Sequence, residues 1–520
     1  MPDPADQTAI IAFLSQPATY GLTDGTVERI ETHGAIVFLA GDRAYKLKRA
    51  VKYPYMDYST AERRHAMCVR ELEINRRMAP QIYLEVRAIV RQPDDSLGFA
   101  AADAADAPDC VVVMRRFAQD TLFGRLCDAG RLTPERMREL ADTLAAFHAH
   151  AEPTPEFGGS EGLAAVVRGD NAILNSMSGA PFAVAALDDF SKASKAALAV
   201  ISPILDRRRD AGAVRRCHGD LHLNNVCLID DKPVLFDAIE FEDAFACIDT
   251  LYDLAFLLMD LDRHKARALA NVLLNRYLEC TLDYDGLEAL PLFLACRAAI
   301  RAHVSVSRAN ATEKNHATEL DEAEAYLDLA RSYLRPSQPR LVAVGGLSGT
   351  GKTTLARAIA SDIGLAPGAV ILRSDVTRKR LMGVSETTRL PEGAYSPETN
   401  RNVFSEMADL AARILATGHA VIMDAVYGTA EERDEIAKVA QTAGVTFSGL
   451  WLQADPQILT SRIAGRRGDA SDATMAVLQK QLGAIKEPDD WIVIDAGGAP
   501  DTIAKAAAAR LNPDATRGRS

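Results

Sequence analysis

One short segment, GLSGTGKT at residues 346–353, constrains the fold of this chain more than any other. It matches the spacing G-x-x-x-x-G-K-[ST] and stands between an apolar, strand-like run and a helical pattern. Glycines in such a segment let backbone N–H groups surround an anion, and the N-terminus of the following helix adds a favourable dipole. The segment therefore predicts a strand–loop–helix unit that binds phosphate, a Walker A P-loop.

Strand and helix patterns alternate from this segment towards the end of the chain. Apolar runs such as VILRSD and VIMDA are separated by amphipathic stretches such as NRNVFSEMADLAARILATG. Such alternation is typical of a parallel sheet with helices on both faces. We predict an α/β P-loop domain over residues 341–510. A proline-containing linker at 336–340 would precede it, and a disordered tail at 511–520 would follow it.

The residues of the P-loop have predicted roles in binding ATP. Lys352 would reach the β- and γ-phosphates, and Thr353 would also hold Mg²⁺. The predicted ATP-binding residues of this loop are Gly346, Ser348, Gly349, Thr350, Gly351, Lys352, Thr353 and Thr354.

Two carboxylates follow later strand patterns of the same domain. Asp375 closes VILRSD and Asp424 closes VIMDA. Ligands of open α/β sheets gather at the carboxyl ends of the strands, so both side chains should lie near the P-loop. We predict that Asp375 is the catalytic base that accepts the acceptor's proton and that Asp424 is a magnesium ligand.

Arginines stand near both features. Arg378, with Arg380 close by, would bind an anionic acceptor substrate, and the alternative is a solvated helix face. Arg462 and Arg466 lie one helical turn apart and would close over ATP as a lid. The alternative for this pair is a basic surface patch.

The first part of the chain is organised differently, with strands first and helices after them. Turn-like pairs at 33–34 and 41–42 separate runs rich in Val, Ile and Phe, and a charged helical segment follows at about 59–78. Beyond residue 117 the patterns are mostly helical, apart from short strand patterns near Arg215. We predict an α+β domain over residues 1–335 with the lobe order of a protein-kinase-like fold.

The segment CHGDLHLNN at residues 217–225 has an informative spacing. A base, an Asn five residues later and an Asp at the end of a hairpin form the base and metal set of a kinase. We predict Asp220 as the catalytic base, with Asn225 and Asp237 as magnesium ligands, because Mg²⁺ prefers oxygen ligands. A zinc site is the weaker alternative, since the neighbouring Cys and His lack the repeated short spacings of zinc sites.

A lysine that binds ATP is expected upstream of this segment. Lys46 and Lys48 point to the same side of a predicted strand, and Glu71 on the following helix would pair with one of them. We prefer Lys46, with Lys48 as the alternative. The sequence has no G-x-G-x-x-G loop here, so the turn at Gly34 would cover the phosphates, and residues 112–117 would contact adenine through the backbone.

Both halves resemble known families. CHGDLHLNNVCLID and DTLYDLAFLL resemble the aminoglycoside phosphotransferase and choline kinase family, which has the protein-kinase-like fold, and imply that Asp249 and Asp253 are structural acids. GLSGTGKTTLA, LRSDVTRKRLMG and VIMDAVY resemble the small-molecule and polynucleotide P-loop kinases. The whole chain resembles bacterial proteins described as bifunctional aminoglycoside phosphotransferase/ATP-binding proteins, in which the second domain is of the AAA type.

The resemblance implies two ATP- and Mg²⁺-dependent phosphotransferases in one chain, each acting on a hydroxyl of a small-molecule acceptor. In one alternative, the first half is a nucleotide-sensing pseudokinase that regulates the second half. In another, the second half acts on nucleic-acid ends, but the formal net charge of -12 disfavours nucleic acid as a partner.

The same sequence bears on the compartment. Its 8 cysteines include no CxxC pair, and it has neither a signal-peptide pattern nor a long uncharged apolar run. We therefore expect a cytoplasmic protein with reduced thiols and no membrane span. The oligomeric state has no signature in the sequence.

Overall fold

The structure is a computed structural model that describes residues 6–23, 25–53, 55–177, 181–311, 315–465 and 471–511. It contains two compact units. The first runs to Gly169 and includes Leu198–His264, and the second comprises Asp170–Ala197 and the chain from Lys265 onwards. The boundary between the units therefore differs from the predicted linker at 336–340. The helices between residues 265 and 335 belong to the second unit, together with the P-loop region.

The first unit begins with an antiparallel sheet on which one long helix packs. The sheet order is β1-β2-β3-β8-β6-β7. Its strands are β1 (Glu28–Glu31), β2 (Ala35–Ala40), β3 (Arg43–Lys48), β6 (Tyr83–Arg91), β7 (Leu97–Ala101) and β8 (Asp109–Arg115). The other elements of this lobe are α1 (Thr8–Leu14), the short pair β4 (Lys52–Tyr53) and β5 (Met56–Asp57), and α2 (Ala61–Arg76). The turns predicted at 33–34 and 41–42 connect β1 to β2 and β2 to β3, so that part of the prediction is confirmed.

The following lobe is mostly helical, as the sequence predicts. Its elements are α3 (Phe123–Asp128), α4 (Pro134–His150), α5 (Gly159–Ser176), α6 (Val184–Asp210), β9 (Val214–Arg216), β10 (Val226–Ile229), β11 (Lys232–Leu235), α7 (Asp243–Ala246), β12 (Cys247–Asp249) and α8 (Thr250–Arg263). Thr133 caps α4 by accepting a hydrogen bond from the Arg136 amide, and Pro134 is the first helical residue.

The hairpin of β10 and β11 brings the two ends of the kinase-like motif together. The strands pair antiparallel, with Val226 opposite Leu235. The tight turn is formed by Asp230 and Asp231, both with positive φ. The turn therefore precedes Pro233, which is accommodated within the two-stranded ladder opposite Leu228.

The second unit combines helices with a parallel sheet of order β14-β15-β13-β16-β17. The strands are β13 (Arg340–Gly346), β14 (Val370–Arg373), β15 (Val421–Asp424), β16 (Thr446–Gln453) and β17 (Ile492–Asp495). The helices are α9 (Arg267–Thr281), α10 (Leu290–Ala311), α11 (His316–Tyr333), α12 (Lys352–Ala360), α13 (Ser374–Leu381), α14 (Pro397–Ala416), α15 (Ala430–Ala443), α16 (Pro456–Ala464), α17 (Met475–Ala484) and α18 (Pro500–Leu511). The predicted parallel sheet is confirmed, whereas α13, α17 and α18 were not predicted. The tail predicted to be disordered lies, beyond Leu511, outside the described residues.

The edge strand β14 is covered by side chains of α9. Asn271 and Asn275 donate from Nδ2 to the carbonyl of Ala369 at 3.0 and 3.2 Å, and the Ile371 amide donates to Asn275 Oδ1 at 2.7 Å. All four residues are buried. Two amide side chains thus take the place of a neighbouring strand, satisfying backbone groups that an open edge would leave unpaired.

One helical stretch, residues 285–310, passes a length and composition test for a membrane span, with a mean hydropathy of 1.3. However, 72% of its 18-residue window is buried inside the protein. A buried core helix passes the same test, so the stretch is weak evidence for a span.

His419, just before β15, predicts a pH dependence of stability in the second unit. It is fully buried, with Nδ1 3.3 Å from Thr417 Oγ1 and no hydrogen-bond partner for Nε2 among the described residues. Burial lowers the pKa of His419 to about 4 from a usual 6.5. Between these pH values the unfolded chain binds a proton that the folded chain does not, so stability is present above pH 6.5 and falls as the pH drops towards 4. We expect a loss of about 3 kcal/mol over that window.

Urea unfolding followed by tryptophan fluorescence measures this loss, because both tryptophans, Trp451 and Trp491, lie in the second unit. The His419→Asn variant should show a shallower pH slope, and His316→Asn, at an exposed position on α11, should keep the slope of the unchanged protein. Equal slopes in all three proteins would contradict the prediction.

Candidate functional site

The loop that carries Asp220 is held by a buried carboxylate, Asp253 of α8. Its two oxygens accept the amides of His218 at 3.1 Å and Gly219 at 2.9 Å, and His148 Nε2 lies 3.1 Å from Oδ2. Only glycine fits at 219, because φ is +88° and a Cβ would lie 2.7 Å from the Phe245 carbonyl. The structure thus fixes the backbone directly before Asp220.

His218 also holds the loop that carries Asp220. Its Nε2 lies 2.8 Å from the Phe236 carbonyl, and Nδ1 accepts the Asp220 amide at 3.3 Å. Burial lowers the pKa of His218, so the neutral ring donates from Nε2 and accepts at Nδ1. The ring therefore links the Asp220 loop to the strand that precedes Asp237.

Asp220 itself faces solvent, and Asn225 orients it. The Asp220 side chain is 42% exposed. Asn225 Nδ2 donates to the Asp220 carbonyl at 2.8 Å and to Oδ2 at 3.2 Å. The amide nitrogen of Asn225 thus faces Asp220, and its side-chain oxygen is of the type that Mg²⁺ prefers.

Asp237 lies directly after the hairpin, beside the predicted lysine. Lys46 Nζ is 2.5 Å from Asp237 Oδ1 and 2.8 Å from Glu71 Oε1. Burial opposes the charge on Lys46, but the Asp237 and Glu71 carboxylates hold its pKa well above the usual range. The predicted Lys46–Glu71 ion pair is therefore present, and it touches the predicted metal ligand.

The alternative lysine, Lys48, belongs to a second and more deeply buried pair. Its Nζ lies 2.6 Å from Glu71 Oε2 and 2.5 Å from Glu240 Oε1, and Tyr58 donates to Glu240 at 2.6 Å. Glu71 is thus shared by both lysines, which hold its pKa well below the usual range despite burial. Both candidate lysines therefore form ion pairs. Lys46 contacts Asp237, and Lys48 contacts Glu240, three residues further along the chain.

Asp249 and two cysteines of this motif have structural surroundings. Asp249 caps α8 through the Leu251 amide and pairs with Arg208 at 2.7 Å, and Cys217 and Cys227 are fully buried. Within the described residues, His148, Cys217 and Asp253 could hold a metal by proximity. Both Asp253 oxygens already accept backbone amides, so this group is better explained as a hydrogen-bonded core cluster.

In the second unit, the P-loop has the conformation that the sequence predicts. Gly346 has a φ of +135°, and a Cβ there would lie 2.5 Å from the Leu452 carbonyl. Lys352 Nζ donates to the carbonyls of Gly346 and Leu347, both at 3.0 Å. The Ser348 amide donates to Gln481 Oε1 of α17 at 2.8 Å. The side-chain oxygen of Gln481 therefore accepts a hydrogen bond from a backbone amide that a bound phosphate would use.

Thr353 and Asp424 form a pair of hard oxygen donors at the end of the loop. Thr353 Oγ1 donates to Asp424 Oδ2 at 2.5 Å, and Asp424 ends β15, as predicted. Hydroxyl and carboxylate oxygens suit Mg²⁺, as do the Asn225 and Asp237 oxygens of the first unit. Both predicted metal sets thus have a suitable donor chemistry.

Asp375 and Arg378 both lie on α13. The sequence predicted that Asp375 closes the strand, but the strand ends at Arg373, so Asp375 lies two residues further on, in the first turn of a helix. Burial and the Asp424 charge raise the pKa of Asp375. Arg378 is 5% exposed, donates to the Ala394 carbonyl at 3.1 Å and lies over the Tyr395 ring. The solvated-helix alternative is therefore wrong for Arg378, while its role as an acceptor ligand stays a prediction.

Of the two predicted lid arginines, one lies within the described residues. Arg462 on α16 donates to the carbonyls of Thr350 and Gly498, each at 3.4 Å, so it lies beside the P-loop. Arg466 lies outside the described residues. Arg380 pairs with Glu406 at 2.5 Å on the surface of the same unit.

Several residues of both sites were not predicted. Asn75 holds the Ala238 amide at 2.8 Å, and the Tyr83 hydroxyl accepts the Asp237 amide at 3.1 Å. Neither residue belongs to a motif. Glu240 follows Asp237 by three residues in DAIE and does have a sequence signal, because an acid so close to a predicted metal ligand is expected to have a cationic partner.

Comparisons with known proteins match the two halves of the chain to two different family models. Residues 39–290 match the family model described as phosphotransferase enzyme family, and residues 341–488 match the model described as AAA domain. The chain is 31% identical over 479 residues, 91% of its length and 91% of theirs, to the uncharacterized proteins Rv2004c of Mycobacterium tuberculosis and Mb2027c of Mycobacterium bovis.

Two solved structures illustrate the more distant similarities. A choline/ethanolamine kinase family protein from Mesorhizobium loti is 15% identical, with a TM-score of 0.36, over 62% of this chain and 97% of that one. A gluconokinase from Sinorhizobium meliloti is 19% identical, with a TM-score of 0.27, over 36% of this chain and 100% of that one.

Proposed function

Because the chain belongs to a family of two-domain proteins in which a kinase-like phosphotransferase domain precedes a P-loop kinase domain, we propose that each domain transfers the γ-phosphoryl group of ATP to a hydroxyl of a small-molecule acceptor. The observation that carries the proposal is the position of Lys46 Nζ, in contact with both Glu71 and Asp237. His218 links the chain just before Asp237 to the loop that carries the exposed Asp220. A lysine in the position of Lys46 would bind the phosphates of a nucleotide, next to a carboxylate that would face the acceptor.

In the first domain, Asp220 would take the proton of the acceptor hydroxyl as its oxygen forms a bond to the γ-phosphorus. The bond from that phosphorus to the bridging oxygen breaks, and the electron pair leaves with ADP. Lys46, positioned by Glu71, would bind the α- and β-phosphates. Catalysis is then mainly positioning and charge stabilisation, with no covalent enzyme intermediate.

The second domain would use its own set of groups for the same reaction. The P-loop amides and Lys352 would bind the phosphates, and Asp375 would take the acceptor proton. Mg²⁺, held by Asn225 and Asp237 in one domain and by Thr353 and Asp424 in the other, would neutralise charge on the phosphate oxygens. We further propose a cytoplasmic location, which suits the 8 cysteines as reduced thiols and the use of ATP.

The pseudokinase alternative has less support. A nucleotide sensor would need neither the base nor the metal ligands, yet Asp220, Asn225 and Asp237 are all present, together with the Lys46–Glu71 pair. No observation of the described residues favours nucleic-acid ends as the acceptor of the second domain.

A phosphorylation screen on a metabolite panel tests the proposal. The unchanged protein, Asp220→Ala and Lys352→Ala are incubated with labelled ATP and each acceptor. Products of the first domain should fall at least about a hundredfold in Asp220→Ala, and products of the second domain should fall similarly in Lys352→Ala.

The matched controls are Asp230→Ala in the exposed hairpin turn and Lys505→Ala on the surface of α18, which should change neither product. Products that survive both active-site substitutions would disprove the assignment of these residues. A protein that binds ATP but phosphorylates nothing through the first domain would favour the sensor alternative.

A further inference from the structure

Arg373 is a buried arginine inside the predicted phosphate and metal site of the second domain. It is the last residue of β14 and is 5% exposed. Its Nη2 lies 3.5 Å from Thr353 Oγ1, and its Nε lies 3.7 Å from Asp424 Oδ2. These are the two groups that offer oxygen ligands to Mg²⁺, so a guanidinium stands next to the place of a cation.

These two contacts of the guanidinium are electrostatic rather than close. Both distances exceed the 2.7–3.2 Å of an ordinary N–H···O hydrogen bond, and their geometry differs from a bidentate arginine–carboxylate pair. An anion bound beside the buried guanidinium would add a favourable electrostatic interaction.

Binding of nucleotide and metal changes the charges around Arg373. A divalent cation on Thr353 and Asp424 repels a guanidinium, whereas a γ-phosphate above the P-loop attracts it. Lys352 contacts the Gly346 and Leu347 carbonyls, whereas Arg373 lies next to Thr353 and Asp424, so the two cations occupy different positions.

We propose that Arg373 contacts the γ-phosphoryl group of ATP and stabilises the charge that develops on it during transfer. The inference rests on the function proposed for this domain. As the new bond to the acceptor oxygen forms and the bond to the β-phosphate oxygen breaks, the proton goes to Asp375 and the electron pair leaves on ADP. Arg373 stays protonated throughout and its charge offsets that of the non-bridging oxygens.

The positive charge next to the γ-phosphoryl group would thus come from Arg373, at the end of a core strand of the same domain. A strand end is more rigid than a lid, so the guanidinium is positioned before the nucleotide arrives. Its sequence signal is an arginine at the end of an otherwise apolar run, VILR, two residues before the predicted base.

Binding of MgADP with and without fluoroaluminate, which mimics the phosphoryl group in transfer, tests the proposal without knowledge of the acceptor. The measurements use the full chain carrying Asp237→Ala to silence the first domain. Arg373→Ala and Arg373→Lys should bind MgADP within about threefold of their parent, but should lose about tenfold to a thousandfold of the tightening by fluoroaluminate. Added guanidinium should restore part of that tightening in Arg373→Ala.

Arg401→Ala is the control, since Arg401 is exposed on α14 of the same domain and belongs to neither predicted site. It should behave like the parent protein in both measurements. If Arg373→Ala or, should that variant not fold, Arg373→Lys retains the full tightening, the proposal is wrong. A parent protein that binds MgADP without any tightening would instead overturn the transfer proposed for this domain, and the role of Arg373 with it.

Discussion

Replacing Asp253 by alanine is expected to destabilise the first unit by about 3–5 kcal/mol and to abolish phosphoryl transfer by the first domain. The carboxylate is fully buried and accepts the His218 and Gly219 amides, with His148 also in contact. Alanine would leave these donors buried without an acceptor, and each such donor costs about 1–3 kcal/mol. The loop that carries Asp220 would then lose its fixed backbone.

Two measurements separate the parts of this prediction. Thermal unfolding gives the loss of stability, and hydrogen exchange over residues 216–225 shows whether the loop has opened. Asp253→Asn, which keeps the shape of the side chain, should fold and yet exchange faster than the unchanged protein.

Asp128→Ala is the matched control, because Asp128 also pairs with a histidine, His264, at 2.8 Å, but its side chain is 61% exposed. An exposed pair of this kind contributes about 1 kcal/mol or less. If both alanine variants unfold at the same temperature as the unchanged protein, Asp253 does not hold the loop in the way described.

A fragment that begins at the predicted linker and contains residues 336–520 is expected to be less stable than a fragment of residues 265–520, although both lack residues 170–197 of the second unit. The shorter fragment lacks α9, so the buried edge of β14 loses Asn271 and Asn275 and becomes an open strand edge. It also loses the Asp285–Arg413 pair at 2.8 Å. Denaturation followed by the fluorescence of Trp451 and Trp491 compares the two fragments.

A substitution in the full chain tests the same contact without truncation. Asn275→Ala leaves the buried Ile371 amide without its acceptor and should cost about 1–3 kcal/mol, while Asn402→Ala at an exposed position of α14 should cost much less. Fragments with the same unfolding midpoint, together with an unaffected Asn275→Ala, would show that α9 is not needed by the sheet.

The sequence predicted the parts of both sites that lie close together along the chain. Asp220, Asn225 and Asp237 are brought together by one hairpin, and Lys352 and Thr353 are brought together by one strand–loop–helix unit. The element bounds were less predictable. α13 follows β14 without a loop, so an apolar strand pattern ran on through Ser374 and Asp375 into what is a helix.

Contacts between distant parts of the chain could not be predicted. Lys48 meets Glu240 at a separation of 192 residues, His218 meets Asp253 at 35, and Ile371 meets Asn275 at 96. None of these partners belongs to a repeated spacing, and any of several nearby polar residues would satisfy the same propensities. Which of them pair is decided by how helices and sheets pack.

By itself, then, the sequence determined that this protein has a kinase-like motif and a P-loop, because the backbone geometry that binds phosphate is encoded within a few consecutive residues. Only the tertiary structure decided which lysine faces Asp237, that a buried arginine stands beside Thr353 and Asp424, and that α9 completes the sheet of the P-loop unit. The physical reason is that buried charges and strand edges must find partners wherever the packed chain places them.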